Sequence, residues 1–591
     1  MISTFLQDWS ETTQRLTNIQ QRYLQTLRNK DKVNQQGINA VLQDAMHSYS
    51  QFCVDNIKHP FTLMGIEKRL LGKHLKLCTR TLLKAVGKEQ EAVISANKSD
   101  HRFKHELWND KLIFDFIKQS YLLISEAMEE GLDSLDGDDK RTKRRIAFYN
   151  RQILNALSPS NFILTNPELL KLTWDSKGQN LVKGMERYLQ DLEHSASILN
   201  IRMTSKQKFK LGENIATTPG KVVYKNDLFE LIHFKAQSKS VAKEPLLMIP
   251  PFVNKYYILD LTKEKSFVRW AVEQGQNVFL VSWVNPDTSH QAVGFENYMA
   301  DGVIEAAKQV HAISGEKDIN ALGYCIGGTV LASALAYLKE KPERFHIKSA
   351  TFLTTLLDFE DSGDIDVFID EAVINSIQKQ NNKNGVFDGR LLSVSFSLMR
   401  ENTLYWNYFV QNYLKGEDPA AFDLLYWNSD STNICARTHN FMLEELYLNN
   451  NLAKPGGVTL NEVKINLANI NTPCYFISTH LDHIAYWKTC YRGAQLLNSD
   501  VTFVLGESGH IAGIVNPPEK HKYSYYVNQQ NTDIKTQNAE QWLEGAEQHA
   551  GSWWPNWEKW LSKHNSKQVP VKTIEESLAD APGEYVCRQL A

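Results

Sequence analysis

The sequence predicts an α/β protein in which a mostly parallel sheet is covered by helices, carries an inserted cap and is preceded by a mainly helical domain. Near residue 220 the apolar spacing changes from helical to strand-like. Compact apolar runs then alternate with helical intervals, the pattern of parallel strands joined by crossovers. Between Leu353 and Cys474 lie about 120 residues, far more than one connecting helix and its loops need, so an insertion is expected there.

Residues 1 to about 205 read as helices, with apolar positions such as Ile113, Phe116, Ile117, Tyr121 and Ile124 at helical spacing. Ser158-Pro159 and Asn166-Pro167 mark boundaries, since a short polar residue before a proline can open a helix. No catalytic grouping stands out in this part. The strand-like runs are Val222-Val223-Tyr224, Leu228 to Ile232, Leu246 to Ile249, Asn277 to Val281, Ile319 to Leu322, Ala350 to Leu353, Cys474 to Ser478 and Val501 to Leu505. The expected division is a helical domain over 1-205 and a catalytic domain over 206-591, with the cap at about 358-440. The cap is dense in aromatics, Tyr405-Trp406-Asn407-Tyr408-Phe409, Tyr413, Phe422 and Tyr426-Trp427, which either fill a helical core or line a partly apolar surface. Gly551-Ser552-Trp553-Trp554-Pro555 and the tail Ala581 to Val586 read as docking segments with no assigned mechanism.

Composition narrows the function classes. A chain of 591 residues exceeds the size at which one core stops growing, which favours two domains. The net charge of −3 offers no field for nucleic acid. The basic run Lys140-Arg141-Thr142-Lys143-Arg144-Arg145 follows Asp136-Gly137-Asp138-Asp139 and reads as a solvated helix start. Seven scattered cysteines without metal-ligand spacing suggest a reducing compartment. Residues 1–9 lack the pattern of a signal peptide, and no apolar run reaches the roughly 18 residues of a spanning helix, so a soluble cytoplasmic protein is expected.

The run Asn320 to Leu322 leads into Gly323-Tyr324-Cys325-Ile326-Gly327-Gly328, after which Val330, Ala334, Leu335 and Leu338 share one helical face. This strand, tight turn and helix match the nucleophile elbow G-x-Nuc-x-G of α/β-hydrolase folds, with cysteine as nucleophile. The N–H of Ile326 would face a developing oxyanion at a helix start. In this fold the acid and the histidine follow the nucleophile in that order. Asp482 lies just beyond the run ending at Ser478, and His510 just beyond the run ending at Leu505. Asp482 and His510 are therefore expected to complete a catalytic triad with Cys325. A second oxyanion donor is expected after an early strand, and the N–H of Val253 in Pro250-Pro251-Phe252-Val253-Asn254 is the candidate. His480 and His483 flank Asp482, but their spacing matches no tight ligand pattern, and no metal site is expected.

With these residues, and with Lys255-Tyr256-Tyr257, Trp406-Asn407-Tyr408, Phe422 to Asn428, Asp482-His483-Ile484 and Ser508-Gly509-His510-Ile511, the chain resembles the polyhydroxyalkanoate synthases over nearly its whole length. The long form resembles the class I synthases. That resemblance implies short-chain (R)-3-hydroxyacyl-CoA substrates such as 3-hydroxybutyryl-CoA, catalysis by Cys325, Asp482 and His510, a homodimer, and association with polyester granules. It implies no cofactor, CoA being a product carried in by the substrate. Two other readings share features of the sequence: a cysteine acyl-CoA thioesterase, which differs in the acceptor, and a non-catalytic granule-coating protein. Which of His510 and Asp482 activates the incoming hydroxyl is left open, as is the acyl length.

Overall fold

A computed structural model of the chain describes residues 14–26 apart from 16 and 24, then 60–98, 100–133, 140–195, 199–529, 533–572 and 576–590. Residues 1–9, Cys53 and the acidic stretch 136–139, all used in reading the sequence, lie outside the described residues. The chain forms two compact units, one of Met1–Ser205 with Val394–Ala420, the other of Lys206–Ser393 with Ala421–Ala591.

In the first unit the helix Pro60–Ala85 packs along Leu112–Asp133. The inward face of the second helix differs from the apolar spacing of the sequence. Ile113 and Ile124 are 60% and 45% exposed, whereas Asp115, Lys118, Gln119 and Leu123 are buried. Charge pairing explains the inversion: Asp115 receives Arg80 at 2.6 Å, Lys118 at 3.2 Å and the Gln119 amide at 2.9 Å. Burial works against the Asp115 charge, but the Arg80 and Gln119 hydrogen bonds and the charge of Lys118 hold its carboxyl below the usual carboxylate range. Asp115→Ala leaves Arg80 and Lys118 buried without their anion and should destabilise this unit by about 3 kcal/mol, read by chemical denaturation.

The boundary signals act locally. Asn166 accepts the N–H groups of Glu168 and Leu169 and caps the helix Pro167–Asp175, while Pro159 opens the turn Pro159–Asn161. The basic run opens the helix Lys140–Ala156 with Arg141 to Arg145 half-buried rather than fully solvated.

The residues Val394–Ala420, from the stretch expected to be cap, belong to this unit because their aromatic side chains pack on the helix Gln179–His194. Tyr405, Trp406, Phe409, Tyr413 and Tyr188 form an edge-to-face ladder with centroids 5.4 to 5.5 Å apart. The Tyr413 hydroxyl donates to Asp191 at 2.7 Å, and the Asn180 amide donates to the Leu414 carbonyl at 2.7 Å. These rings therefore serve as packing in the first unit.

The second unit is built on an eleven-stranded sheet. Its strands are β1 Gly220–Lys225, β2 Phe229–Phe234, β3 Leu246–Ile249, β4 Val278–Trp283, β5 Asp318–Tyr324, β6 His346–Leu353, β7 Cys474–Thr479, β8 Val501–Gly506, β9 Ser524–Val527, β10 Glu547–Ala550 and β11 Ala579–Asp580. The spatial order is β10-β9-β8-β7-β6-β5-β3-β4-β2-β1-β11. The strands β4, β3, β5, β6, β7 and β8 run parallel, and the others pair antiparallel at the two edges. The crossing of β3 and β4 and the parallel core are those of an α/β-hydrolase sheet. All eight strand-like runs of the sequence lie in it. The central strands are apolar on both faces because helices cover both, as β3, β4 and β7, buried at every position, illustrate.

The C-terminal segments dock intramolecularly. Trp553, Trp554, Trp557 and Trp560 are buried in a cluster with Phe267 and Trp270. The tail adds β11 to the sheet edge, and the buried Glu230 carboxylate accepts the N–H groups of Glu584 and Tyr585 at 2.9 and 3.0 Å. Among the described residues no helix is long and apolar enough to cross a membrane.

Candidate active site

The elbow follows from three local demands. Strand β5 ends at Tyr324 and delivers Cys325, whose N–H continues the ladder by donating to the Leu353 carbonyl at 2.9 Å. Cys325 takes φ 53° and ψ −127°, a region an L-residue enters only under strain of about 1–3 kcal/mol. The helix Ile326–Glu340 begins at once. Its close approach needs glycine: a Cβ on Gly327 would lie 2.5 and 2.6 Å from the Ile249 and Pro250 carbonyl oxygens. As the first residue of the helix, Ile326 has no carbonyl one turn earlier, and its N–H remains available at the positive end of the helix dipole.

Asp482 and His510 converge on this turn from the ends of β7 and β8. The His510 Nδ1–H donates to Asp482 Oδ2 at 2.7 Å, and the imidazole lies near enough to Cys325 for the sulfur to bear on its charge. Asp482 Oδ1 accepts the N–H groups of Ile484 and Ala485, each at 2.9 Å. Asp482 and His510 are 4% and 7% exposed, and Cys325 is partly accessible. Burial opposes a charged imidazole, but the Asp482 carboxylate and the Cys325 sulfur override it and push His510 up to about 10. An imidazole with that proton affinity is suited to draw a proton from the thiol.

The turn carrying Val253 is fixed beside the elbow. The Trp283 indole donates to the Pro250 carbonyl at 2.8 Å, and Phe252 stacks on Tyr298 with centroids 4.1 Å apart. Two residues beyond Val253, Lys255 pairs with Asp430 at 2.8 Å in a buried contact, while the Trp427 indole donates to the Lys255 carbonyl at 2.7 Å. Asp430 also accepts the Tyr257 hydroxyl at 2.8 Å. Val253 itself is half-buried.

The arrangement thus brings together Cys325, Asp482 and His510 beside a free helix N–H, with the Val253 turn against the elbow helix. His480 stacks on Trp487 with centroids 6.2 Å apart. Among the described residues no group of three or more His, Cys, Asp or Glu side chains is placed to hold a metal ion. One neighbour was not singled out from the sequence. Tyr324, the unspecified residue of the motif, stacks on the His510 ring with centroids 5.7 Å apart and an interplanar angle of 24°. No spacing rule points to it, because the contact joins two segments far apart in the chain.

Comparison with known proteins identifies the family. Residues 99–271 match the family described as the poly-beta-hydroxybutyrate polymerase (PhaC) N-terminus, and residues 263–517 match the alpha/beta hydrolase fold. The chain is 42% identical over 535 residues to the poly(3-hydroxyalkanoate) polymerase subunit PhaC of Rhizobium meliloti (strain 1021), covering 90% of this chain and 86% of that one. It is 42% identical to the poly(3-hydroxyalkanoate) polymerase of Methylorubrum extorquens, covering 90% and 87%. Against the PhaC subunit of Cupriavidus necator the identity is 40% over 509 residues, covering 84% and 85%. The chain belongs to the poly(3-hydroxyalkanoate) polymerase family, PhaC.

Proposed function

We propose that this polymerase joins short-chain (R)-3-hydroxyacyl units, such as 3-hydroxybutyryl, from their CoA thioesters, with the acyl group carried on Cys325 and CoA released. The observation that carries the reading is the His510 imidazole, tied to Asp482 at 2.7 Å and set beside a cysteine on an elbow. His510 takes the Cys325 proton, and the thiolate attacks the thioester carbonyl. The oxyanion is received by the N–H groups of Ile326 and Val253. The C–S bond to CoA breaks, and His510 returns the proton to the departing thiolate. The enzyme thioester preserves the activation of the acyl group. A 3-hydroxyl from a monomer or growing chain then gives its proton to His510 and attacks, forming the ester and freeing the cysteine.

The assignment of the second proton transfer to His510 is supported by Asp482, whose Oδ2 takes the imidazole N–H and whose Oδ1 takes two backbone N–H groups at 4% exposure. A carboxylate so engaged orients the histidine better than it abstracts a proton. The chemistry runs on the chain's own groups, with no cofactor, in a cytoplasmic homodimer at the surface of a polyester granule.

Incubation with 3-hydroxybutyryl-CoA tests the acceptor. Insoluble polyester with stoichiometric CoA is the expected product, and a shift to longer acyl chains lowers kcat/KM. Free 3-hydroxybutyrate as the sole product would overturn the polymerase reading in favour of a thioesterase.

A further inference from the structure

The Trp553-Trp554 pair and Tyr324 meet the same short loop. Beyond β8, the chain turns through His510, with Gly513 N–H closing on the Gly509 carbonyl at 2.9 Å. Three carbonyls of this turn are taken by aromatic donors from elsewhere in the second unit. The Tyr324 hydroxyl donates to the His510 carbonyl at 3.1 Å. The Trp553 indole N–H is shared between the Gly513 and Ile514 carbonyls at 3.1 and 3.2 Å, and the Trp554 indole N–H reaches the Ile514 carbonyl at 2.9 Å.

The donors are rigidly held. Tyr324, Trp553 and Trp554 are each 1% exposed. Trp554 packs on Phe267 and Trp270 with centroids 5.0 and 5.4 Å apart, Trp553 lies 5.6 Å from Phe267, and the Ser552 hydroxyl receives the Trp554 N–H at 3.1 Å. By contrast Trp557, on the same helix Trp554–Ser562 and in the same aromatic cluster, donates to the Thr351 hydroxyl on β6 and not to the turn. A backbone carbonyl buried among apolar rings needs a donor, so the turn has little freedom to rotate away from these indoles.

We propose that Trp553, Trp554 and Tyr324 are positioning residues for His510, fixing the backbone at His510 and in the turn that follows it so that the ring stays directed at Cys325. The inference rests on the Cys325–His510 proton transfer proposed above. A displacement of about 1 Å in such a pair can cost on the order of a hundredfold in rate, so modest loosening of the turn is kinetically visible.

The test measures CoA release from 3-hydroxybutyryl-CoA and, independently of polymerisation, alkylation of Cys325 by iodoacetamide across pH, followed by mass spectrometry of the Cys325 peptide. Trp553→Phe and Trp554→Phe should lower kcat about tenfold with KM changed less than about twofold, and should slow alkylation at neutral pH by a similar factor. Trp557→Phe removes comparable packing and should leave both readouts near wild type. Tyr324→Phe keeps the ring and removes only the donor, and benzothienylalanine at position 553 or 554 replaces the indole N–H isosterically, so neither depends on tolerance of a cavity. Wild-type alkylation profiles in all the donor-deleted variants overturn the proposal, as does an equal kinetic loss in Trp557→Phe, which would mark the effect as packing. His510→Gln separates the two levels. If it slows alkylation while the donor-deleted variants do not, only the positioning role fails. If it too leaves alkylation unchanged, the Cys325–His510 pairing fails and takes this proposal with it.

Discussion

Replacing Cys325 with alanine should abolish CoA release from 3-hydroxybutyryl-CoA while leaving the fold intact. The backbone of the elbow is set by its surroundings, not by sulfur: Cys325 N–H is held by the Leu353 carbonyl, and its own carbonyl by the Gly328 N–H at 2.9 Å. Alanine can occupy the strained φ of 53° no less readily than cysteine, so thermal unfolding should shift little. The loss is chemical. Without the thiolate no acyl-enzyme forms, and residual catalysis is limited to what an oxyanion site and substrate binding supply. Cys325→Ser is the more discriminating variant. It keeps the shape but replaces a thioester with an oxygen ester, which stores less activation for transfer to the next hydroxyl, and should cost about a thousandfold or more in CoA release. Near-normal release in the alanine variant would remove Cys325 from the mechanism.

The legibility of this site in the sequence has a physical basis. A parallel strand covered on both faces must be apolar throughout, and a nucleophile elbow needs small residues at fixed offsets, so β3 to β8 and Gly323 to Gly328 announce themselves. Asp482 and His510 could be found because each sits in the first loop residues after such a strand. The edges were not legible for the opposite reason. β10 is Glu547-Gln548-His549-Ala550, polar and mostly exposed, and β11 has two residues. Both owe their conformation to the partner strand rather than to their own pattern.

The helical unit shows the same divide. Apolar spacing in Leu112–Asp133 indicated helix correctly, yet the buried side is the one bearing Asp115 and Lys118, because Arg80 on another helix supplies the countercharge. Periodicity reports which residues are apolar; it does not report a pairing between charges 35 positions apart. Likewise the aromatics at 405–413 read as cap from their place in the chain. Their ladder with Tyr188 and the bond from Tyr413 to Asp191 put them in the first unit, through contacts more than 200 positions distant.

Asp482→Asn should lower CoA release by about 10² to 10⁴-fold and move its alkaline pH limit downward. His510 is raised from 6.5 to about 10 against the effect of burial, with Asp482 the foremost of the groups raising it. A group whose affinity for its proton is greater in the folded state stabilises that state fully below pH 6.5, and this contribution disappears as pH climbs through about 10. The same proton is the one His510 must return to departing CoA, so kcat/KM for the wild type should decline on approaching pH 10. An amide at 482 removes the negative charge, so burial regains its hold and the imidazole gives up its proton at lower pH. The amide can also present its NH2 group to Nδ1, favouring the tautomer that leaves the wrong nitrogen protonated toward Cys325. Rate and limit therefore fall together. The measurement is CoA release between about pH 6 and 11 for wild type, Asp482→Asn and Asp482→Ala, alongside thermal unfolding over the same range. A rate reduced with the alkaline limit unmoved would mean that Asp482 orients the ring without setting its charge.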